Sequence, residues 1–178
     1  MSLIKSTEPT TNLPVRHIRK NDGDARSLLG GLMSVKISTT ETQGHFCLCE
    51  GLVVPNMAVP LHCHPDVEAF LVLDGSLDVF RLTDGKPESV TVQTGEMAMI
   101  PPNAMHGFCN RSSRDVRVVT LCTAGLEAFF EEASIRVDTS RSTKIEPPKP
   151  EEIERVFAIA RKHGQVDVDN GVPNHAAF

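Results

Sequence analysis

The sequence predicts an all-β protein with one domain, and three observations support this prediction. From about residue 28 to residue 123, apolar runs of strand length alternate with short polar or glycine-containing breaks. Within this region we find no amphipathic pattern long enough to form a substantial helix. The chain has 178 residues, a length over which a single hydrophobic core can form.

The candidate strands follow one another closely, and turn residues separate several of them. Asp74-Gly75 and Asp84-Gly85 tolerate the positive φ that tight hairpin turns require. Many short strands joined by such turns predict a sandwich or a barrel, and a closed barrel leaves no sheet edge exposed. The candidates are Leu32–Ile37, His45–Val54, Val67–Leu73, Ser76–Leu82, Ser89–Gln93, Met97–Pro101, Ala104–Asn110 and Val116–Cys122.

Two short helices are predicted after the strands. The first, Gly125–Ala133, has Leu126, Phe129 and Phe130 at helical spacing on one side and acidic residues, Glu127 among them, on the other. The second starts at Pro150 and ends near Gly164. Its apolar stripe is expected to pack on the domain or on a partner subunit. We therefore divide the chain into an N-terminal extension (1–24), a β-barrel domain that includes helix 125–133 (25–135), a linker and C-terminal helix (136–164) and a loose tail (165–178).

Composition argues against several classes of partner. The formal net charge is -5, with basic and acidic residues scattered in mixed sign, so no basic stripe is available for nucleic acid. No apolar run is long enough to span a membrane and no leader is recognisable, so we expect a cytoplasmic protein. The five cysteines are expected to be reduced and mostly buried. Met97 and Met99, on one face of a candidate strand, are expected in the core.

The stretch LHCHPDVEAFLVLDG, residues 61–75, places His62 and His64 two positions apart. On a strand this spacing directs both imidazoles to one face, and Glu68 can rejoin that face after a short turn. An isolated histidine is more often an ordinary surface or core residue. Two histidines and a carboxylate in this pattern instead indicate a site for a divalent transition metal.

A second stretch, GEMAMIPPNAMHGFCN, residues 95–110, offers His106 as a fourth ligand, followed by Asn110. Together the two stretches resemble the two signature motifs of the cupin superfamily. The first motif corresponds to His62, His64, Glu68 and Gly75, and the second to Gly95, Pro101, His106 and Asn110. Two motif glycines are replaced by Asn56 and Asn103, and asparagine is the residue other than glycine that best tolerates positive φ.

The resemblance implies a cupin double-stranded β-barrel of jelly-roll type, in which His62, His64, Glu68 and His106 converge on one metal. The ligand set suits Fe, Mn, Ni, Cu, Co or Zn and does not choose among them. More of the chain, over roughly residues 25–165, is similar to the bacterial quercetin dioxygenase-like cupin proteins. That likeness implies a metal-dependent dioxygenase acting on an enol or flavonol-like aromatic small molecule, and a homodimer.

In this hypothesis Glu68 is both a metal ligand and the catalytic base that takes the substrate proton. Phe70 and Phe108 share strand parity with metal ligands and are placed near the substrate pocket; Phe129 and Phe130 could cap its mouth or simply pack in the core. Two alternatives remain open: a metal-dependent isomerase, hydrolase or lyase that uses the ion as a Lewis acid, and a binding cupin without turnover.

A CxC pair, Cys47 and Cys49, also shares one face of a candidate strand. Such a pair can bind soft metals, but no further thiol lies nearby in sequence. We therefore interpret both as buried apolar cysteines.

Overall fold

Two antiparallel sheets build the protein in the computed structural model, which describes residues 15–138 and 147–167. One sheet has seven strands in the order β11-β1-β2-β3-β10-β5-β8, and the other has five in the order β12-β4-β9-β6-β7. The strands are β1 Asp24–Leu28, β2 Gly31–Ile37, β3 Cys47–Val53, β4 Ala58–Cys63, β5 Glu68–Asp74, β6 Ser76–Thr83, β7 Lys86–Gln93, β8 Met97–Ile100, β9 His106–Cys109, β10 Val116–Cys122, β11 Ile135–Arg136 and β12 Val166–Asp167. The two helices are α1 Ala124–Ala133 and α2 Pro150–Lys162.

The main core lies between the two sheets. It combines inward side chains of the larger sheet, such as Val72 and Val116, with Leu77 of the smaller sheet, all three fully buried. Alternate residues along each strand contribute to it, because successive side chains of a strand point to opposite faces. The mostly-β jelly-roll fold expected from the sequence is confirmed.

A second core cluster lies beneath the helices. Leu126 and Phe129 of α1 and Val156 and Ala160 of α2 pack against strand residues that include Cys47. The helix residues recur at helical spacing, so each helix places one apolar stripe on the larger sheet. No helix in the described part of the chain has both the length and the apolar character needed to cross a membrane.

The two asparagines that replace motif glycines adopt the backbone conformation that glycine would. Asn56 has φ 63° and Asn103 has φ 62°, both in the left-handed region. Asn110 is fully buried, and its amide donates to the carbonyls of Val53 and Arg114 at 2.7 Å. The side chain of Asn110 thus ties the end of β9 to neighbouring backbone and holds the second motif in place.

Several expectations fail in this structure. Met97 and Met99 are 62% and 60% exposed, because β8 is an edge strand and their face of it points to solvent. Glu127 was expected on the exposed side of α1 but is buried, where its carboxylate accepts a hydrogen bond from Thr39 N. Val166 and Asp167, expected in a loose tail, pair with β4; the rest of that predicted tail lies outside the described residues.

Candidate metal centre

Four segments bring the predicted ligands together between the two sheets. His62 lies in β4 and His64 follows the end of that strand, while His106 begins β9. The pairing of β4 with β9 sets His62 directly opposite His106. Glu68 begins β5 in the other sheet, so the site joins both sheets of the fold.

Each of the three histidines uses its Nδ1 atom to donate to a backbone carbonyl. His62 Nδ1 lies 3.0 Å from Pro60 O, His64 Nδ1 3.1 Å from Asp66 O and His106 Nδ1 2.8 Å from Ala104 O. A carbonyl can only accept, so Nδ1 must carry the proton in all three rings. In the neutral rings, Nε2 is left with a free lone pair, and the carbonyls fix the ring orientations.

The three histidines form a compact and buried group. Their exposed fractions are 9%, 2% and 3% for His62, His64 and His106, and their ligand nitrogens lie within 4.8 Å of one another. His106 Nε2 is one of two fully buried side-chain nitrogens in the described part of the chain that lack a hydrogen-bond partner. A buried polar atom without a partner is costly, and a bound cation would remove that cost.

Glu68 lies beside two of these imidazoles and is 5% exposed. Its Oε2 is 3.4 Å from His64 Nε2 and 3.3 Å from His106 Nε2. Burial alone would raise the pKa of Glu68, but the contacts with His106 and His64 outweigh it and hold that pKa below the usual value. Burial alone would lower the pKa of His64, but the contact with Glu68 outweighs burial and raises that pKa.

His62 is held in the neutral form. Burial, reinforced by the neighbouring His106, lowers the pKa of His62 to about 4. A neutral imidazole is the form that coordinates metals, so His62 is ready to bind a cation at neutral pH. Three imidazole nitrogens with an adjacent carboxylate are a donor set that suits a divalent transition metal, and the residues present therefore fit such an ion.

A network behind His64 holds the turn between the ligands. Asp66 carries the carbonyl that binds His64, and its carboxylate Oδ1 accepts from Thr123 Oγ1 at 2.6 Å and from Gly125 N at 3.0 Å. Asp66 thereby caps the first turn of α1 from a neighbouring loop. This role of Asp66 is not visible in the sequence, because its partners lie more than 50 residues downstream.

The centre lies in the wall of an open cavity with a volume of about 150 Å³. His62, His64 and Glu68 contribute polar surface, while most of the remaining wall is aliphatic or aromatic. Small-molecule sites typically combine such an apolar wall with a few placed polar groups. The arrangement can therefore hold an apolar molecule against a cation.

All four aromatic residues named from the sequence line this cavity: Phe70, Phe108, Phe129 and Phe130. Phe70 and Phe108 meet edge to face, with ring centroids 5.3 Å apart. Phe129 belongs to the core cluster beneath the helices, and Phe130 packs against it.

The C-terminal segment adds two polar residues that sequence analysis missed. Gln165 and Asp167 line the cavity, and Asp167 pairs with His62 across the β12–β4 ladder. The only signal in the sequence was the short apolar and acidic run after Gly164, which is too short to identify a strand.

Comparisons with known proteins agree with this fold. Residues 52–122, which contain all four predicted ligands, match the family model described as the cupin domain. No curated protein matches the sequence significantly.

Solved structures with the same fold include proteins of different activities. The polyketide cyclase RemF from Streptomyces resistomycificus is 24% identical, with 62% of this chain and 80% of that chain covered and a TM-score of 0.52. A predicted oxalate decarboxylase from Thermotoga maritima is 18% identical, with 61% and 98% covered and a TM-score of 0.53. Ectoine synthase from P. lautus is 19% identical, with 78% and 99% covered and a TM-score of 0.52. Likenesses at these identities show the fold alone.

Proposed function

We propose that this protein, with a cupin domain over residues 52–122, is a metal-dependent dioxygenase that acts on an enol or flavonol-like aromatic small molecule. The observation that carries the proposal is the buried group of three histidines with Nε2 atoms directed away from their carbonyl partners, in the wall of a largely apolar cavity. His62, His64, Glu68 and His106 would hold the ion.

When bound, a divalent ion of this kind would supply Lewis acidity and, if redox-active, a partner for dioxygen. The described residues that line the cavity include no Lys or Arg, which favours an uncharged substrate over an anionic one. Phe70 and Phe108 offer aromatic surface to a flat substrate. The apolar wall would leave little water around a bound substrate and would thereby strengthen electrostatic contacts at the centre.

Glu68 is the residue best placed to take a proton from the substrate. The pKa of Glu68 lies below its usual value, so it is ionised at neutral pH and able to accept. Its Oε2 lies against His64 and His106, on the side where a hydroxyl held near the imidazoles would come within reach. Removing the hydroxyl proton there would convert the neutral enol into the more reactive enolate.

The test combines elemental analysis of the native protein with oxygen-electrode assays on 3-hydroxyflavone and quercetin. We expect close to one equivalent of a transition metal and metal-dependent oxygen uptake. His62→Ala should lose both, whereas His45→Ala, which removes an exposed histidine that does not line the cavity, should lose neither. Absence of metal from carefully isolated protein would contradict the proposal.

A protein that binds metal but consumes no oxygen would contradict the dioxygenase and favour Lewis-acid chemistry. The solved structures of this fold include, by their names, a cyclase and a synthase, so the fold does not select an oxidation. Oxygen uptake is therefore the measurement that separates the two classes of enzyme.

A further inference from the structure

The C-terminal strand β12 places a second carboxylate in the lining of the cavity that contains the candidate metal centre. Asp167 is the direct partner of His62 in the antiparallel β12–β4 ladder. Direct partners in such a ladder direct their side chains to the same face of the sheet. Val166, the residue between Gln165 and Asp167, is 60% exposed, whereas Gln165 is 8% exposed. Val166 therefore points to the opposite face from its two neighbours. Asp167 therefore projects into the cavity beside His62, and the lining of the cavity includes both.

The carboxylate of Asp167 is not committed to another protein group. It makes no hydrogen bond or ion pair with any residue in 15–138 or 147–167. A partly buried carboxylate without a protein hydrogen-bond donor is free to interact with a molecule that enters the cavity.

The charges around the centre nearly cancel once a divalent ion is bound. Glu68 and Asp167 are the acidic residues in the described lining, and that lining includes neither Lys nor Arg. The three histidines bind a cation as neutral rings and therefore add no charge. Two carboxylates therefore balance the two charges of the ion. An anionic ligand would leave an unbalanced negative charge in an apolar cavity, which is costly.

We infer that Asp167 acts as a charge filter beside the metal centre, so that the site accepts neutral, hydroxyl-bearing molecules and rejects small anions and carboxylates. A neutral hydroxylated ligand keeps the balance, because the proton that it loses can pass to Glu68. This inference rests on the proposed function, since it requires an ion held by the three histidines. It assigns Asp167 to substrate selection and leaves the chemical step to Glu68.

The test measures the affinity of two probes for Co²⁺-loaded protein at pH 8. Azide is the anionic probe, followed by its effect on the visible absorption of cobalt, and 3-hydroxyflavone is the neutral probe, followed by its own absorption shift. Asp167→Asn removes the charge and keeps the size of the side chain. Glu151→Gln removes an equal charge from an exposed position at the start of α2 and serves as the matched control.

We expect Asp167→Asn to bind azide at least about tenfold more tightly than wild type, because a charge in the same largely apolar cavity is poorly screened. Affinity for 3-hydroxyflavone should change less than about threefold, and the control should match wild type for both probes. Asp167→Ser, which also lacks the charge, should reproduce the gain in azide affinity. Thermal unfolding of each variant confirms that it is folded.

An unchanged ratio of azide to 3-hydroxyflavone affinity in both Asp167 variants would overturn the charge filter while leaving the metal centre intact. An equal gain in the control would also overturn it, because the effect would then be one of net charge. Failure of the wild-type protein to bind Co²⁺ through His62, His64 and His106 would overturn both the filter and the proposed function.

Discussion

Two clusters of buried donor atoms lie close together, one of imidazoles and one of thiols. Cys47, Cys49 and Cys122 have exposed fractions of 0%, 2% and 0%, comparable with those of the histidines. Cys122 is the ladder partner of Cys47 on one side and of Glu68 on the other, so β10 connects the two clusters. Their burial and composition alone would make both candidates for a metal site.

The difference lies in how the donor atoms are partnered. The thiols contact one another, with 3.6 Å between Cys47 Sγ and Cys49 Sγ. Contact with Cys47 and burial raise the pKa of both Cys49 and Cys122 above the usual thiol value, so these two stay protonated. In contrast, each imidazole donates a hydrogen bond from Nδ1–H to a carbonyl, which leaves Nε2 as the possible metal ligand.

Buried thiols that contact one another are typical of a core, whereas buried imidazoles that include a nitrogen without a hydrogen-bond partner, His106 Nε2, indicate a site. The thiol cluster packs among apolar residues such as Leu126 and Phe129, as small hydrophobic side chains do. The sequence interpretation of Cys47 and Cys49 as buried cysteines is confirmed, and all five cysteines of the chain are free. Cys122 is a third thiol of this cluster, and it could not be predicted because it lies far from Cys47 and Cys49 in the sequence.

The largest effect should come from removing one member of each cluster. His106→Ala should lower affinity for a divalent ion more than about 100-fold. This loss is larger than that expected for a residue that only hydrogen-bonds to a metal ligand. Cys122→Ala should keep the ion and lower the free energy of unfolding by about 1–2 kcal/mol through lost packing. Elemental analysis after dialysis and urea unfolding measure the two effects. Loss of the ion from Cys122→Ala would mean that the clusters form one site.

Glu68→Gln separates the roles of the carboxylate within the imidazole cluster. If Glu68 is the base, turnover should fall by at least about 100-fold, because the amide cannot take up the substrate proton. The three histidines should still retain much of the metal. Steady-state oxygen uptake and metal content, measured on the same samples, check this expectation. A parallel decline of both would leave Glu68 as a ligand without a role in proton transfer.

Asp66→Ala tests whether the ring orientation of His64 depends on the network behind it. Loss of the carboxylate removes the hydrogen bonds to Thr123 and Gly125, which should cost about 0.5–2 kcal/mol of stability, as for a helix cap. Metal affinity should fall by about tenfold as the turn loosens. Asp115→Ala, at an exposed position, is the control for both measurements. Unchanged metal affinity in Asp66→Ala would show that the backbone carbonyl of residue 66 is enough to orient the His64 ring.

The smallest effect is expected at a carboxylate outside both clusters. Hydrogen bonding to Arg117, 2.6 Å away, is the main cause that lowers the pKa of Glu50 in the folded protein. A lowered folded-state pKa adds stability above the unfolded pKa, and this stability is lost as pH falls through the folded pKa. Glu50→Gln should therefore cost about 0.2–1 kcal/mol at pH 7 and less as the pH falls towards 3. Equal costs at both pH values in urea unfolding would contradict this assignment.

The local part of the fold and the candidate metal ligands could be predicted because both depend on short-range patterns in the sequence. Val116–Cys122 was predicted with its observed bounds, and the positive φ of Asn56 and Asn103 follows from the demands of tight turns. Strand parity by itself places His62 and His64 on one face, because side chains two residues apart on a strand point the same way. Parity could not tell which face of β8 meets solvent, and the core position predicted for Met97 and Met99 was therefore wrong.

The sequence by itself determined which residues are candidates to bind a metal, since the types and spacings of His62, His64, Glu68 and His106 are local properties. Tertiary structure alone decided which residues lie next to these candidates and how deeply they are buried. Pairing of distant strands set His62 against both His106 and Asp167, buried Glu127 under α1 and brought Cys122 to the other thiols. These outcomes depend on long-range β ladders, in which the register between two strands is chosen by the packing of the whole core.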